Sequence, residues 1–108
     1  MDGHFEVLTM GRVGVDLYPL QDNVGLEDVD TFSKSVGGSA GNVAIAAAKH
    51  GRRTALISRT GPDAFGRFVH QALRGMGVDD RFICDVPDLL TPQFSPAMAT
   101  PVPSKIPR

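Results

Sequence analysis

Four positions in the first half of the chain have the residue types that binding of a hydroxylated small molecule requires. Asp16 lies between apolar neighbours in GRVGVDL, and Gly37 and Gly38 precede Asn42 in VGGSAGNVAIAAAKHG. A carboxylate or an amide bonds to hydroxyl groups, and glycines ahead of a helix let a ligand approach free backbone N–H groups. A tight turn would explain the glycines, and solvation or local capping would explain Asp16 and Asn42. Taken alone, the local pattern favours the turn.

Other kinds of chemistry find little support in the sequence. GGSAGN lacks the lysine and the Ser/Thr of a P-loop and does not match GxGxxG. The three histidines share no metal-ligand spacing, and no GxSxG or Ser/His/Asp set occurs. The single cysteine, Cys84, excludes an internal disulfide, and its apolar surroundings (RFICDV) predict a buried, inert thiol. We therefore predict neither a catalytic residue nor a metal site in these 108 residues.

The composition gives no indication of a charged macromolecular partner. Eleven basic and twelve acidic residues give a net charge of -1, so we expect no binding to nucleic acid or to an anionic membrane surface. The N-terminal residues lack a basic start followed by an apolar run, which argues against a signal peptide. No stretch approaches the roughly 18–20 apolar residues of a membrane span. The expected location is the cytoplasm.

The order of predicted elements indicates an α/β fold. Apolar periodicity and turn residues predict extended segments at residues 5–10, 13–17, 30–36, 54–58 and 81–86, and helices at residues 39–50 and 63–76. Gly51 is placed to end the first helix, and Asp63 and Gly77 to begin and end the second. Strands that alternate with helices imply a mostly parallel sheet, usually covered by helices on both faces.

The end of the sequence differs in composition from the rest. Five of the eight prolines lie in residues 92–108, at positions that follow no period. Proline at this density suits neither a helix interior nor a strand ladder. We therefore predict a folded part at residues 1–91 and a tail without regular structure at residues 92–108.

Together these residues resemble the N-terminal part of the ribokinase-like (PfkB) carbohydrate kinases. The first signature of that family is matched at seven positions: Gly37, Gly38, Ala40, Asn42, Ala44, Gly51 and Gly61. The stretches GRVGVD and TGPDAFG fit the order of the family as well. Within the family, GRVGVDLYPLQ and GLEDVDTFSKSVGGS look most similar to a kinase of a keto-deoxy sugar acid from myo-inositol breakdown.

The resemblance implies a fold and a role for individual residues. The family has a mostly parallel sheet between helices and a small β lid over the sugar, which residues 17–36 would form. Asp16 would bond sugar hydroxyls, Gly38 would bring backbone to the substrate, and Asn42 would supply its side-chain amide. Gly37 would serve the backbone conformation. Arg12 stands where many members have a small or polar residue, and either pairs with a sugar-acid carboxylate or lies at the surface.

The resemblance also implies ATP and Mg²⁺ as cofactors, a sugar or sugar acid as substrate and, for full-length members, frequent homodimers. The family's second signature, a DTxGAGD-like stretch that supplies the catalytic base and the anion hole, does not occur in these residues. We therefore expect the N-terminal portion of a kinase that is inactive alone and binds ATP poorly. The alternatives are a non-catalytic module that binds a small polyol or sugar acid, and a truncated product of a frame or gene-model error.

Overall fold

The structure is a computed structural model that describes residues 4–94. In chain order, its elements are β1 (Val7–Met10), β2 (Gly14–Pro19), a 3-10 turn (Leu26–Asp28), β3 (Phe32–Gly37), α1 (Ser39–Lys49), β4 (Thr54–Thr60), α2 (Ala64–Gly75), β5 (Val78–Asp79), β6 (Ile83–Asp85) and β7 (Gln93–Phe94). Both predicted helices and all five predicted extended segments are present, with ends shifted by a few residues. The two-residue strands β5 and β7 were not predicted.

The larger sheet is built around β4. Strand β1 pairs with one edge of β4, where Leu8 lies beside Ala55. Strands β5 and β6 follow each other along the other edge, with Val78 beside Thr54 and Ile83 beside Ser58. All three pairings are parallel, so the prediction of a mostly parallel sheet is confirmed.

One hydrophobic core joins this sheet to both helices. The small buried residues Ala40 and Ala44 of α1 and the larger Val69 and Leu73 of α2 belong to the same cluster as Leu56 of β4. Alanine lets α1 lie close to the strands, while α2 fills the remaining space with branched side chains. Neither helix of the described part is long and apolar enough to cross a membrane.

The ends of α2 follow the predicted signals. Asp63 is the N-cap, and its Oδ1 accepts a hydrogen bond from the backbone N–H of Gly66 at 2.7 Å. Such a cap contributes about 1 kcal/mol to helix stability. Gly77 follows the helix with φ +87°, a conformation that glycine adopts without steric cost.

A smaller sheet of three strands corresponds to the predicted lid. Strands β2 and β3 are antiparallel, with Asp16 opposite Ser35. Strand β7 pairs with the other edge of β2 in parallel, which places Phe94 beside Asp16. The sequence assigns residues 93 and 94 to the irregular tail, but they form a strand because β2 offers them an unpaired edge. The rest of the predicted tail, residues 95–108, lies outside the described residues.

One face of the larger sheet is open within residues 4–94, whereas sheets of this class are usually covered by helices on both faces. Leu56, which belongs to the core, faces α1 and α2, so Met10 and Ile57 face the opposite side by strand alternation. Cys84 lies on this open side as well and is exposed. The prediction of a buried thiol is wrong, because only Ile83 of this short strand points into the core.

The open face contains a large apolar cavity of about 730 Å³. It is lined by Met10, Gly11, Arg12, Val13, Ile57, Ser58, Arg59, Phe82, Cys84, Val86, Leu89 and Pro92. The side chain of Met10 is 76% exposed there. The apolar surface of this sheet is therefore buried on one side only.

Candidate functional site

A small cavity lies where the lid meets the beginning of α1. Its volume is about 180 Å³, and Arg12, Asp16, Gly38, Ser39 and Phe94 line it. These residues come from the segment before β2, from β2, from the junction of β3 with α1, and from β7. The fold thus brings together three of the four predicted substrate-binding residues and adds Phe94.

Asp16 presents its carboxylate to this cavity from β2. Its Oδ2 accepts a hydrogen bond from the Tyr18 hydroxyl at 3.0 Å, while Oδ1 has no hydrogen-bond partner among residues 4–94. The carboxylate occupies the space that a Cβ at residue 37 would need, so any side chain there would displace it. Gly37 therefore makes room for Asp16, and its φ is not in the left-handed region. The place of the Asp16 carboxylate is thus one explanation for glycine at position 37, and its role in the backbone conformation stays a prediction.

The bond between Tyr18 and Asp16 also affects the phenol. The Asp16 carboxylate accepts a hydrogen bond from the Tyr18 hydroxyl and places a negative charge beside it, and both effects raise the pKa of Tyr18. The phenolate would lose this bond and would lie beside a second negative charge. Tyr18 therefore remains a neutral donor at neutral pH and holds one oxygen of Asp16.

Gly38 is required by the backbone itself. It has φ +97° and ψ 141°, and its carbonyl oxygen accepts the bond from the Asn42 N–H at 2.9 Å that begins α1. A Cβ at this position would also clash with the carbonyl oxygen of Arg12. The turn explanation from the sequence thus has direct support, and the same lack of a side chain leaves the backbone accessible from the cavity.

Arg12 reaches the cavity from the segment between β1 and β2. Its guanidinium carbon lies 5.2 Å from the centre of the Phe94 ring, within the range of a cation–π contact. Within residues 4–94, neither Arg12 nor Asp16 takes part in an ion pair, although both line the same cavity. The cavity therefore presents one positive and one negative side chain to a ligand.

Asn42 is not among the residues that line this cavity. It lies in the first turn of α1 with an exposed side chain. A contact of its amide with the substrate would require a ligand that extends along the start of the helix. Its role in binding stays a prediction.

The remaining residues of the signature are explained by packing or by backbone conformation. Ala40 and Ala44 are buried on the sheet side of α1. Gly51 follows this helix with φ +81°, as its predicted role as a stop requires. Gly61 is buried at the end of β4, and a Cβ there would clash with the carbonyl oxygen of Leu89.

A polar cluster, which the sequence did not indicate, ties the chain before β7 to the start of α2. The Thr91 hydroxyl donates to Asp63 Oδ1 at 2.7 Å and accepts the Gly61 N–H at 3.0 Å, and the Thr91 N–H donates to Asp63 Oδ2 at 3.0 Å. We call Asp63, Thr91 and Gly61 the latch. Bonds from the Thr91 hydroxyl, the Thr91 N–H and the Gly66 N–H lower the pKa of Asp63. The latch fixes the chain three residues ahead of Phe94.

The sequence matches a known family over most of its length. Residues 5–93 match the model of the pfkB family carbohydrate kinases. A 5-dehydro-2-deoxygluconokinase from Lacticaseibacillus casei is 39% identical over 79 residues, which cover 73% of this chain and 24% of that protein. The chain thus spans about a quarter of the length of the curated relatives it matches.

Solved structures that match this fold include two sugar kinases. A sugar kinase from Pyrococcus horikoshii in complex with ATP matches with a TM-score of 0.76 and 31% identity, covering 81% of this chain and 28% of that one. A fructokinase from Vibrio cholerae with bound fructose, ADP and calcium matches with a TM-score of 0.71 and 32% identity, covering 82% and 27%. Family match, relatives and fold agree, and the chain belongs to the pfkB family of carbohydrate kinases, with a ribokinase-like fold.

Proposed function

We propose that this chain forms the sugar-binding part of an ATP-dependent kinase that phosphorylates a sugar or a keto-deoxy sugar acid. The substrate class suggested by the relatives is that of 5-dehydro-2-deoxygluconate, an intermediate of myo-inositol breakdown, and the expected location is the cytoplasm. The observation that carries the proposal is the convergence of Asp16, Arg12 and Gly38 on one cavity at the start of α1.

Each side chain has a distinct task in this proposal. The Asp16 carboxylate accepts hydrogen bonds from sugar hydroxyls, with Tyr18 holding one of its oxygens. Gly38 leaves the backbone open to the ligand, and Asn42 contributes its amide to a substrate that extends along α1. Arg12 supplies a positive charge, which suits a substrate with a carboxylate. Bringing the sugar into a fixed orientation is the contribution of these residues to phosphoryl transfer.

The groups that act on ATP belong, in this proposal, to another part of the kinase domain. Among residues 4–94, no cluster of three His, Cys, Asp or Glu side chains suits a metal ion. ATP supplies the phosphoryl group and Mg²⁺ neutralises its charge, and we assign neither of them a residue in this chain. We therefore expect the 108-residue chain to bind the sugar without turning over ATP. If whole kinases form homodimers through the lid, the dimer contact would lie on the same small sheet.

A binding experiment tests the sugar site. ¹⁵N-labelled chain is titrated with 5-dehydro-2-deoxygluconate, and amide shifts are followed at Gly38, Ser39 and Asp16. Asp16→Asn should weaken binding by roughly 10- to 100-fold, because each bond from a hydroxyl to a carboxylate is worth about 1.5–3 kcal/mol. The matched control Asp22→Asn changes an exposed loop carboxylate and should leave binding unchanged.

Two outcomes would contradict the proposal. Shifts that map away from the cavity, or equal binding by Asp16→Asn, would remove Asp16 from the site. ATP turnover by the purified chain would show that residues assigned here to sugar binding alone also complete the reaction. Saturable binding without turnover is the expected result. ATP turnover after addition of the rest of a kinase domain would then distinguish a part of a kinase from a non-catalytic binding module.

A further inference from the structure

We propose that Phe94 is a positioning residue that holds the guanidinium of Arg12 over the cavity and thereby makes the site selective for an acidic sugar. The inference rests on the proposed sugar-binding function and deepens it. It assigns a role to a residue that the sequence placed in an irregular tail.

The contact between the two side chains is the first observation. The Arg12 guanidinium carbon lies 5.2 Å from the centre of the Phe94 ring, and both residues line the 180 Å³ cavity that Asp16 also lines. A guanidinium that stacks on an aromatic face keeps its N–H groups directed outward in its plane. It can therefore still bind a carboxylate with two parallel hydrogen bonds.

The backbone around Phe94 is the second observation. Strand β7 pairs with β2, so that Phe94 lies beside Asp16, and the Val15 N–H donates to the carbonyl oxygen of Pro92 at 2.9 Å. A Cβ at Gly14 would clash with that same carbonyl oxygen and would touch the Phe94 ring at 3.0 Å. The close approach of β7 to β2 thus depends on glycine at position 14.

The latch is the third observation, because it fixes the start of this strand. Thr91 is 1% exposed, and its hydroxyl and backbone N–H both bond to Asp63. The two bonds hold the segment at one end, and the pairing with β2 holds it at the other. The ring of Phe94 therefore has a defined place beneath Arg12.

The chemistry of the preferred ligand follows from these placements. Asp16 accepts hydrogen bonds from hydroxyls and repels a carboxylate, whereas Arg12 attracts one. A ligand with hydroxyls at one end and a carboxylate at the other satisfies both side chains. A neutral sugar of the same length leaves the Arg12 guanidinium without an anionic partner.

D-gluconate and D-glucitol are suitable probes, since they differ only in whether one end of the carbon chain is a carboxylate or an alcohol. Both are titrated into the ¹⁵N-labelled 108-residue chain. We expect the wild type to prefer gluconate by roughly 10-fold or more, as one charge-assisted pair implies. Arg12→Gln should abolish this preference. Phe94→Leu should reduce it by roughly 2- to 5-fold, as the loss of one exposed cation–π contact implies, with binding of glucitol unchanged.

Two further variants, together with Arg12→Gln, separate positioning from a structural effect. Phe94→Tyr keeps the aromatic face and should restore the preference for gluconate. Phe82→Leu removes a ring that lies 6.0 Å from the Arg81 guanidinium, outside the 180 Å³ cavity, and should have no effect. Arg12→Gln changes an exposed side chain and tests the charge even if Phe94→Leu unfolds. Thermal unfolding and chemical-shift dispersion establish which variants are folded.

The possible failures can be told apart. Equal affinity of the wild type for both probes would overturn the selectivity for an acid and leave the sugar site standing. A full preference for gluconate in folded Phe94→Leu would overturn the positioning role alone. If the chain binds neither of the two probes nor 5-dehydro-2-deoxygluconate, the proposed function is overturned and this inference with it.

Discussion

Replacement of Thr91 by valine should destabilise the chain far more than the loss of one hydroxyl usually does. Valine has nearly the same shape, so the packing of this buried side chain is retained. The change removes the donor to Asp63 Oδ1 and the acceptor of the Gly61 N–H, which lie 2.7 and 3.0 Å from the hydroxyl. Gly61 is buried, so water cannot replace the lost acceptor.

The magnitude follows from these two bonds. A hydrogen bond to a charged group contributes about 1.5–3 kcal/mol, and a buried N–H left without an acceptor costs about 1–3 kcal/mol. Because the two bonds share one hydroxyl and do not add fully, we expect a loss of about 2–4 kcal/mol. With a urea dependence of about 1–3 kcal/mol/M, a loss of about 3 kcal/mol lowers the unfolding midpoint by roughly 1–3 M.

Urea unfolding followed by far-UV circular dichroism measures this loss. Thr9→Val is the matched control, because the Thr9 hydroxyl makes a single bond, to the carbonyl oxygen of Ala40 at 3.0 Å. It should cost about 0.5–1.5 kcal/mol. Thr91→Ser keeps the hydroxyl and should stay within about 1 kcal/mol of the wild type. If Thr91→Val were no more destabilising than Thr9→Val, the two bonds of the Thr91 hydroxyl would contribute no more than the one bond of Thr9.

The pH dependence gives the latch a second signature. The folded-state pKa of Asp63 is lowered by its bonds to Thr91 and Gly66. The resulting stabilisation is fully present above the unfolded value of about 3.9, and is lost as the pH falls through the lower folded-state pKa. The difference in unfolding free energy between the wild type and Thr91→Val should therefore be constant near neutral pH and shrink in acid. A difference that grows in acid would contradict this assignment.

The remaining predictions concern a backbone position, a phenol and a thiol. Gly38→Ala should cost about 2–4 kcal/mol in urea unfolding, because Gly38 has φ +97° and an added Cβ would also clash. The control Gly51→Ala should cost about 1–2 kcal/mol, because Gly51 has φ +81° but open space around it. Equal costs of the two variants would contradict the clash at position 38. Asp16→Asn should lower the pKa of Tyr18 toward its usual value of about 10, and because Tyr18 is the single tyrosine, ultraviolet titration reads it directly. An unchanged titration would mean that the two side chains do not bond in solution. Cys84 should react with a disulfide reagent in native buffer nearly as fast as in urea, and strong protection would show that the open face is covered.

The regular elements were predictable because their signals are local. The alanine run of α1, the capping residue Asp63 and the apolar spacing of α2 each lie within one element, so the pattern alone predicts the helix. The association of Asp16 with Gly38 came from the resemblance to the family, since no periodicity relates a residue of β2 to one at the junction of β3 with α1.

The unpredicted features depend on partners that are distant in the sequence. Strand β7 has only two residues and forms because β2 offers an edge, so its composition gives no indication of a strand. The room that Gly37 makes for Asp16 depends on the register of β2 and β3. The exposure of Cys84 depends on which face of the sheet the helices cover, and a three-residue strand carries too little alternation to show this.

The pairing of β2 with β7 has a consequence for the order of folding. Val15 meets Gln93, so this pairing joins residues 78 positions apart, whereas the pairing of β1 with β4 joins Val7 to Thr54, which are 47 positions apart. Contacts between residues far apart in sequence form late, because a long loop must close first. We expect the core to assemble before the ligand cavity, so that during synthesis the chain acquires a stable scaffold first and its binding competence only when residues 91–94 arrive.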